Sequence, residues 1–334
     1  MPSNIFPTQY STLSSKALNS FISERYGLNE MSCRLLIRNV SDTYIIEGLT
    51  DKYIFKIYRD SHRKLDEIKG EVELLTILAD KGAKVSYPLT DLSGNKIQSF
   101  NAAEGTRYGV LFSYAKGKVI SNPDDDQLAI IGREMAAIHK ITTDIKLNHS
   151  RIAFNTETTI TGPLTTIAPP FDELPEEYAY LKTTGEKVIA RLNKFNYANF
   201  SQGYCHYDVL PKNFHFDEHN NITFFDFDFA GTGLLANDIA IFYIHYFLDV
   251  TYGRLTRDEG ENAFNVFLES YRKVRPVHND ELKAIRYLGF GFWVFYLGFQ
   301  YENFDDWSNL FFGPKFLKDR TALIKKWMDW FGDR

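Results

Sequence analysis

The sequence lacks the features of secreted, membrane-spanning and disulfide-rich proteins. Among 334 residues there are 2 cysteines, Cys33 and Cys205, which lie far apart without CxxC spacing and indicate neither a disulfide framework nor a zinc site. No apolar run is long enough to span a membrane, and residues 1–16 lack the basic and apolar regions of a signal peptide. A reducing cytoplasm is the compartment that fits these absences.

An excess of basic charge is also missing. Lys and Arg number 38 against 43 Asp and Glu, which gives a net charge of −5 and leaves no surplus of cations to neutralise a phosphate backbone. We therefore expect neither a nucleic acid nor a membrane as a partner. Residues 1–115 are nearly neutral, whereas residues 116–334 hold 24 Lys and Arg against 30 Asp and Glu. A solvated acidic surface explains this imbalance more simply than a cationic substrate does.

Aromatic residues, by contrast, are abundant. The chain contains 28 Phe, 20 Tyr and 4 Trp, or 16% of its residues, and these rings must fill large cores or line a pocket. The chain also exceeds the length of about 250 residues beyond which one hydrophobic core rarely suffices. We therefore expect two lobes, one over residues 1–115 and the other over residues 116–334.

The first lobe is predicted to be an antiparallel sheet with one long helix. Hydrophobic spacing predicts a short helix over residues 15–26 and the long one over residues 61–81, each followed by a glycine that serves as a C-terminal cap. Alternating side chains predict an antiparallel hairpin over residues 43–58. Further β segments are predicted at residues 85–89 and 108–114.

The second lobe is predicted to be mostly helical. Helical spacing covers residues 124–143, and a further helix is predicted over residues 175–195. Residues 156–175 are rich in Thr and Pro and form the longest segment without a regular pattern. Two short β runs flank residue 213, and helices follow to the end. The predicted fold class is therefore α+β.

The segment over residues 203–231 carries polar side chains at the spacing of a phosphotransferase loop. His206, Asp208 and Asn213 form the pattern H-x-D-x-x-x-x-N, and Asp226 follows a predicted strand. Asp208 is suited to accept a proton from a substrate hydroxyl or to orient it, while Asn213 and Asp226 supply oxygen ligands for Mg²⁺. His206 is predicted to orient the loop by hydrogen bonding rather than to act as an acid or base.

Charged residues interrupt two apolar segments, where burial is costly without a partner. Asp226 and Asp228 alternate with Phe in FFDFDF, and we assign a functional role to Asp226 more firmly than to Asp228. Lys56 lies within YIFKIYR and is placed to bind nucleotide phosphates. Its natural partner is Glu71 on the long helix, with Glu73 as the second choice. The simpler alternatives are a water-facing edge strand for Lys56 and an exposed helix surface for Glu71.

Nucleotide contacts are predicted without a Walker-type loop, because the chain contains no GxxxxGK[ST]. In residues 39–44, the hydroxyls of Ser41 and Thr43 either contact phosphates or belong to a plain β turn. Near the end of the first lobe, backbone groups around Phe112 and Tyr114 are candidates for binding adenine, since flat heteroaromatic rings are often held by backbone N–H and C=O groups between apolar walls. An interior strand explains the same residues, and both interpretations can hold.

These residues, in this order, resemble the aminoglycoside phosphotransferase and choline kinase superfamily, which also contains type II homoserine kinases and a bacterial stress-response Ser/Thr kinase. Lys56 matches the strand lysine of that superfamily and Glu71 its helix glutamate. HYDVLPKN resembles its HGDxxxxN loop, and FFDFDFAG its metal-binding segment. The resemblance runs over residues 40–238. It implies a bilobal protein-kinase-like fold, with ATP and Mg²⁺ as cofactors. Residues 1–115 would form the nucleotide-binding lobe, and residues 116–334 the catalytic and acceptor-binding lobe.

The comparison with this superfamily also draws attention to two departures from its pattern and to two further matching features. Tyr207 stands where glycine is usual, which is tolerable if its side chain points into the protein and would otherwise narrow the substrate entrance. The nucleotide loop lacks the frequent Asn and Gly. A helix containing Gly132 and His139 matches the one that packs under the catalytic loop in the superfamily. Asp238 is predicted to cap the helix that follows it and to steady the loop.

The phosphate acceptor is left open by these motifs. Residues 287–312 combine aromatic rings with carboxylates, a combination that would suit an amine or quaternary ammonium. A helical core stripe with a solvated acidic turn explains the same residues more simply. The aromatic and acidic residues of this segment that could contact such an acceptor are Trp293, Tyr296, Tyr301, Glu302, Asp305, Asp306 and Trp307.

The function predicted from the sequence is ATP-dependent transfer of the γ-phosphate to a hydroxyl of a small molecule of the aminoglycoside, amino alcohol, homoserine or sugar type. A Ser/Thr protein kinase is the alternative, against which the lack of an activation segment between Asp226 and Asp238 weighs. A nucleotide-binding protein without turnover is a third hypothesis. The presence of all five key positions argues against it.

Overall fold

The computed structural model describes residues 7–303 and 310–332, and the chain divides into two compact units. The first unit consists of Met1–Ala79, Val85–Ala115 and Leu147–Ser150. The second consists of Asp80–Lys84, Lys116–Lys146 and Arg151–Arg334. The first unit therefore takes up one short segment from well beyond residue 115.

The first unit is built on an antiparallel sheet of five strands in the order β1-β2-β3-β5-β4. Its two helices and five strands are α1 (Ser15–Tyr26), β1 (Ser32–Arg38), β2 (Ser41–Glu47), β3 (Lys52–Tyr58), α2 (Leu65–Asp80), β4 (Ile97–Ala102) and β5 (Gly105–Ser113). Strands β2 and β3 form the predicted hairpin, and α1 has the predicted bounds.

Alternation along the strands divides this sheet into two chemically different faces. On one face, Tyr44 of β2 and Phe55 of β3 pack with Ile22 of α1 in a buried hydrophobic core. On the other face, Lys56 of β3 lies in register with Thr43 of β2. Because side chains alternate between the two faces of a strand, Lys56 points away from the core that packs against α1.

One prediction for this sheet is wrong, and one strand was missed. Residues 85–89 are not a strand, although Leu89 donates its amide to Leu111 of β5 and Pro88 forms an isolated bridge with Phe112. Pro88 has no amide hydrogen, so a regular ladder is interrupted there. Strand β4, which pairs with β5 on the side away from β3, was not predicted, because its mixed sequence IQSFNA gives no strand signal.

The second unit is mostly helical, with two small two-stranded sheets. Its elements are α3 (Asp125–Thr143), α4 (Gly162–Thr166), α5 (Pro175–Leu192), β6 (Gln202–Cys205), β7 (Phe214–Phe216), β8 (Ile222–Phe224), β9 (Gly231–Leu234), α6 (Ala236–Thr251), α7 (Arg257–Val274), α8 (Asn279–Asn303) and α9 (Pro314–Trp330). Strand β6 pairs with β9, and β7 pairs with β8, both antiparallel.

Helix α3 starts and packs as its sequence dictates. Asp124 caps its N-terminus in a reciprocal capping box with Gln127. Gly132 lets the backbone of α7 approach closely, since a Cβ at this position would lie 2.2 Å from the carbonyl oxygen of Phe267. Helices α3 and α7 therefore pack backbone against backbone, which fixes the position of His139 farther along α3.

The segment over residues 156–175 is not irregular as expected. A π-helical turn at Glu157–Thr161 runs directly into α4, and a 3₁₀ turn follows at Pro169–Phe171. The prolines of this segment stand in the first turns of these short helices, where a missing amide hydrogen costs nothing. In the described ranges, no helix is both long and apolar enough to cross a membrane.

Candidate active site

The catalytic loop of the second unit connects β6 to β7 and is closed by the β7–β8 hairpin. The loop ends in a 3₁₀ turn at Pro211–Asn213, directly before β7. Phe214 pairs with Phe224 across the hairpin, and the amide of Phe225 donates to the carbonyl of Asn213 at 2.9 Å. Because Asp226 is the next residue, the hairpin brings Asn213 and Asp226 to the same end of the sheet.

Asp208 is a buried carboxylate, 3% exposed, whose two oxygens have different surroundings. Its Oδ2 accepts from Asn213 Nδ2 at 2.7 Å and lies 2.9 Å from the ammonium of Lys212. Its Oδ1 is buried and has no hydrogen-bond partner among the described residues. Burial raises the pKa of Asp208, and the Lys212 cation acts in the opposite direction. One oxygen is thus anchored while the other remains available to a ligand.

Asp238 holds the backbone of this loop. Its carboxylate accepts from the amides of His206 and Tyr207, each at 2.8 Å, and it is 1% exposed. His139 of α3 lies 2.9 Å from the same carboxylate and 2.7 Å from the Tyr271 hydroxyl. The predicted steadying of the loop is present. The predicted helix cap is wrong: Asp238 lies in the first turn of α6, two residues inside its first residue, and its oxygens are used by the loop instead.

His206 orients the loop through both ring nitrogens. Its Nδ1 accepts from the Asp208 amide at 3.3 Å, and its Nε2 donates to the Phe225 carbonyl at 3.0 Å. This pattern requires the neutral tautomer protonated on Nε2. His206 therefore links the catalytic loop to the segment that carries Asp226, as the sequence predicted.

Tyr207 shows why glycine is usual at its position. Its φ of 62° lies in the left-handed region, where a side chain is strained. The ring is fully buried and stacks on Phe154 with centroids 3.5 Å apart, with Phe292 and Phe295 against it. Packing therefore stabilises a strained backbone, and the ring lies in the core rather than at a substrate entrance.

The residues assigned to metal binding have the right chemistry for a hard cation. Asn213 donates through Nδ2 to Asp208, which leaves its amide oxygen as the potential ligand. Asp226 adopts φ 60° and ψ 61°, a strained conformation that functional sites often retain. In residues 7–303 and 310–332, no group of three His, Cys, Asp or Glu side chains could hold a metal. The assignment of Asn213 and Asp226 to Mg²⁺ stays a prediction.

Asp228 lies in a turn that Arg151 holds by hydrogen bonds to the backbone. It is buried, and Arg151 donates to the backbone carbonyls of Phe227, Asp228 and Ala230. Arg151 therefore fixes the turn that carries Asp226 and Asp228. The sequence alone gave no indication of this arginine, because its partners are carbonyl groups.

In the first unit, the structure places Lys56 next to Glu71. The Lys56 Nζ lies 3.7 Å from Glu71 Oε1, and both side chains are buried. Glu73, the second choice, instead accepts from the backbone amide and the side chain of Asn148. The assignment of Lys56 to nucleotide phosphates stays a prediction.

The remaining predicted nucleotide contacts also lie in the first unit. Ser41 and Thr43 belong to β2 rather than to a loop, and Thr43 is the direct neighbour of Lys56 across the strands. Phe112 is buried in β5, and Tyr114 follows the end of that strand. Ser113, between them, already uses its amide on the Tyr87 carbonyl.

Sequence reasoning missed Lys212 and the position of Tyr296. Lys212 directly precedes Asn213, so the motif contained it without marking it. Burial and the adjacent Asp208 carboxylate raise the pKa of Tyr296 well above its ordinary value, so its phenol stays protonated. Tyr296 belongs to the aromatic segment identified in the sequence, but only the fold shows that it lies at Asp208.

Among the other members of that aromatic segment, Trp293 is explained by packing. Trp293 is 3% exposed, and the guanidinium of Arg320 lies 4.9 Å above its ring. Tyr301 and Glu302 are exposed at the end of α8. Asp305, Asp306 and Trp307 lie outside the described residues.

The fold is similar to that of a solved kinase. An amicoumacin kinase in complex with AMP-PNP, Ca²⁺ and Ami superposes with a TM-score of 0.71 at 16% identity, covering 95% of this chain and 94% of that one. This similarity shows that the chain has a kinase-like fold.

Sequence comparison gives the family. Residues 34–277 match the model of the phosphotransferase enzyme family, abbreviated APH, and the chain belongs to that family. A protein of Deinococcus radiodurans described as uncharacterized is 29% identical over 327 residues, covering 98% of this chain and 94% of that protein. The amicoumacin kinase of Bacillus subtilis is 27% identical over 231 residues, covering 65% of this chain and 64% of that kinase. The chain is thus an enzyme of the class that transfers phosphate to hydroxyl groups of small molecules.

Replacement of Asp238 tests the anchoring of the loop. Asp238→Asn leaves one of two buried loop amides without an acceptor, and we expect a loss of about 3 kcal/mol in the free energy of unfolding. Denaturant unfolding measures this loss. Asp258→Asn, on the exposed face of α7, is the matched control and should change stability by less than about 0.5 kcal/mol. Equal stability of the two variants would contradict the anchoring role.

Replacement of Lys212 tests how Asp208 is oriented. Lys212→Met removes the cation from Asp208 Oδ2, and we expect kcat to fall by about tenfold or more with a smaller change in the KM for nucleotide. Lys212→Arg keeps the charge and should restore most of the activity, whereas Lys187→Met on α5 serves as the control. A Lys212→Met enzyme with the wild-type kcat would show that the ion pair has no part in orienting Asp208.

Proposed function

We propose that this protein transfers the γ-phosphate of ATP to a hydroxyl of a small molecule, with Mg²⁺ as its metal cofactor. The observation that carries this proposal is the asymmetry of Asp208. Asn213 and Lys212 hold Oδ2, while Oδ1 has no hydrogen-bond partner in the described part of the chain. An unpartnered buried oxygen is unfavourable unless a ligand uses it. An acceptor hydroxyl that donates to Oδ1 would satisfy it and would be oriented for transfer.

Each remaining residue then has a defined task. Asp208 would orient the acceptor and take up its proton as the bond to phosphorus forms. Asn213 and Asp226 would hold Mg²⁺, which supplies neutralisation of phosphate charge. Lys56, kept in place by Glu71, would bind the α- and β-phosphates. Catalysis by this set relies mainly on positioning and charge stabilisation.

The assignment of ATP is supported by both comparison and position. The solved amicoumacin kinase to which this fold is similar contains AMP-PNP, an ATP analogue. Thr43 lies directly across the strands from Lys56, so we assign it to the phosphates together with Ser41. Phe112 and Tyr114 remain the candidates for contact with adenine.

The surroundings of Asp208 favour acceptors that carry an amine. Asp226 and Asp228 both act electrostatically on Tyr296, which places several carboxylates around one phenol. Phe229 packs against Tyr296 with ring centroids 5.6 Å apart. Aromatic faces beside carboxylates bind ammonium groups well. We therefore rank amine-bearing alcohols above neutral sugars as acceptors.

The experiment that tests this function is a screen of ADP release. The enzyme is incubated with Mg²⁺ and ATP and with single candidates from aminoglycosides, choline, ethanolamine, homoserine, methylthioribose and sugars. Phosphorus NMR then confirms a phosphate ester in the product of any positive reaction. Stimulation by an amine-bearing alcohol is the expected result.

The role of Asp208 is tested on the acceptor that this screen identifies. Asp208→Asn keeps the shape of the side chain but removes its basicity, and we expect kcat to fall by about a thousandfold. Asp258→Asn should retain the wild-type rate. Undiminished ester formation by Asp208→Asn would overturn the assignment of Asp208 and the proposal with it.

A further inference from the structure

The second unit contains a cleft that none of the assigned catalytic residues lines. Its volume is about 850 Å³, and its walls come from α5, α6, α7, α8 and α9. Small-molecule pockets typically have volumes of about 300–1,000 Å³. Tyr287 lies in this cleft, whereas Tyr296 of the same helix lies at Asp208. A rise of about 1.5 Å per residue separates these two positions by about 13 Å along α8.

The cleft is rich in positive charge. Its cationic side chains are Arg191, Lys194, Arg257, Lys283 and Arg286, against the carboxylates of Glu261 and Asp329. Arg257 is paired with Glu261 at 2.7 Å, and Lys283 lies 3.5 Å from Asp280. The excess of cations over carboxylates in the wall therefore favours an anionic ligand.

Three of these cationic side chains have N–H groups to which no described residue offers an acceptor. Arg286 donates through Nη1 to the Gly332 carbonyl at 2.9 Å, but its Nε is buried and has no partner among residues 7–303 and 310–332. In the same ranges, the side chains of Arg191 and Lys194 make no hydrogen bond or ion pair. Both lie exposed at the C-terminal end of α5. An anion in the cleft would give the buried Nε and these two cations a partner.

Aromatic rings form much of the remaining wall, together with Leu268, Leu282 and Ile285. Tyr243 and Phe264 stack with centroids 4.1 Å apart, and Trp330 donates through Nε1 to the Tyr243 hydroxyl at 2.9 Å. Phe195 and Tyr287 pack together with centroids 6.3 Å apart. Tyr243 and Phe264 are buried against each other, and the Arg257 guanidinium lies 4.3 Å from the centroid of the Trp330 ring. The rings that a ligand can reach are therefore the half-buried ones, Phe195, Tyr287 and Phe331.

We propose that this cleft is a second ligand site, which binds a small organic anion with an aromatic body. The aromatic walls receive the ring, and Arg191, Lys194 and Arg286 receive the carboxylate, sulfate or phosphate group. This site shares no residue with the proposed phosphotransfer site, because none of its lining residues belongs to the loop around Asp208.

The probe for this site is 1-anilinonaphthalene-8-sulfonate, whose fluorescence rises on binding. Titration of the full-length protein should show saturable binding with one site per chain. N-phenyl-1-naphthylamine, which has the same rings without the sulfonate, should bind about tenfold or more weakly, and sodium sulfate alone should compete only at high concentration. Equal binding of the charged and uncharged probes would overturn the assignment of an anion site.

Matched variants locate the binding. Arg191→Glu combined with Lys194→Glu should weaken sulfonate binding by about tenfold or more, because four units of charge change at the cleft. The control combines Lys182→Glu with Lys187→Glu, which makes the same charge change on α5 outside the cleft. Asn265→Trp fills the cleft without altering charge and should also abolish binding. Unchanged binding by Asn265→Trp, or equal losses in the two double variants, would contradict the proposal, provided that all variants melt as the wild type does.

Discussion

One buried carboxylate determines the geometry of the catalytic loop. Asp238 accepts the amides of two successive residues, His206 and Tyr207, and is itself held by His139 of α3. Two amides that point to one carboxylate fix the direction of the chain immediately before Asp208. Because a buried carboxylate without partners is highly unfavourable, this arrangement is stable only when the loop, α3 and α6 are all in place.

The loop so held is strained, and the surrounding core stabilises it. Tyr207 and Asp226 both have positive φ angles, which cost on the order of 1 kcal/mol or more each for residues with side chains. The stacking of Tyr207 on Phe154 and its edge contacts to α8 offset this cost. The high aromatic content of the chain therefore has a structural purpose close to the active site. Packing on this scale helps to fix the position of Asp208, the residue that we propose as the base.

Secondary structure and motifs that depend on residues close in sequence were predicted well. The capping box at Asp124, the hairpin of β2 and β3 and the motif from His206 to Asn213 all depend on residues close in sequence. Interactions that join distant segments were predicted less well. Arg151 donates to backbone carbonyls that lie 76 to 79 positions later in the chain, and Tyr296 reaches Asp208 through the fold of α8, so neither carries a sequence pattern. Pro88 and the prolines of residues 156–175 misled because proline interrupts strands but also begins helices.

The central claim is that Asp238 holds the catalytic loop rigid before any ligand binds. Amide hydrogen exchange, resolved by NMR at His206 and Tyr207 in the ligand-free protein, tests it most directly. We expect both amides to exchange as slowly as those in the interior of α6, because release requires opening of the surrounding core. Exchange at the rate of solvent-exposed amides without hydrogen bonds would show that the loop is not held by Asp238 and would contradict this claim.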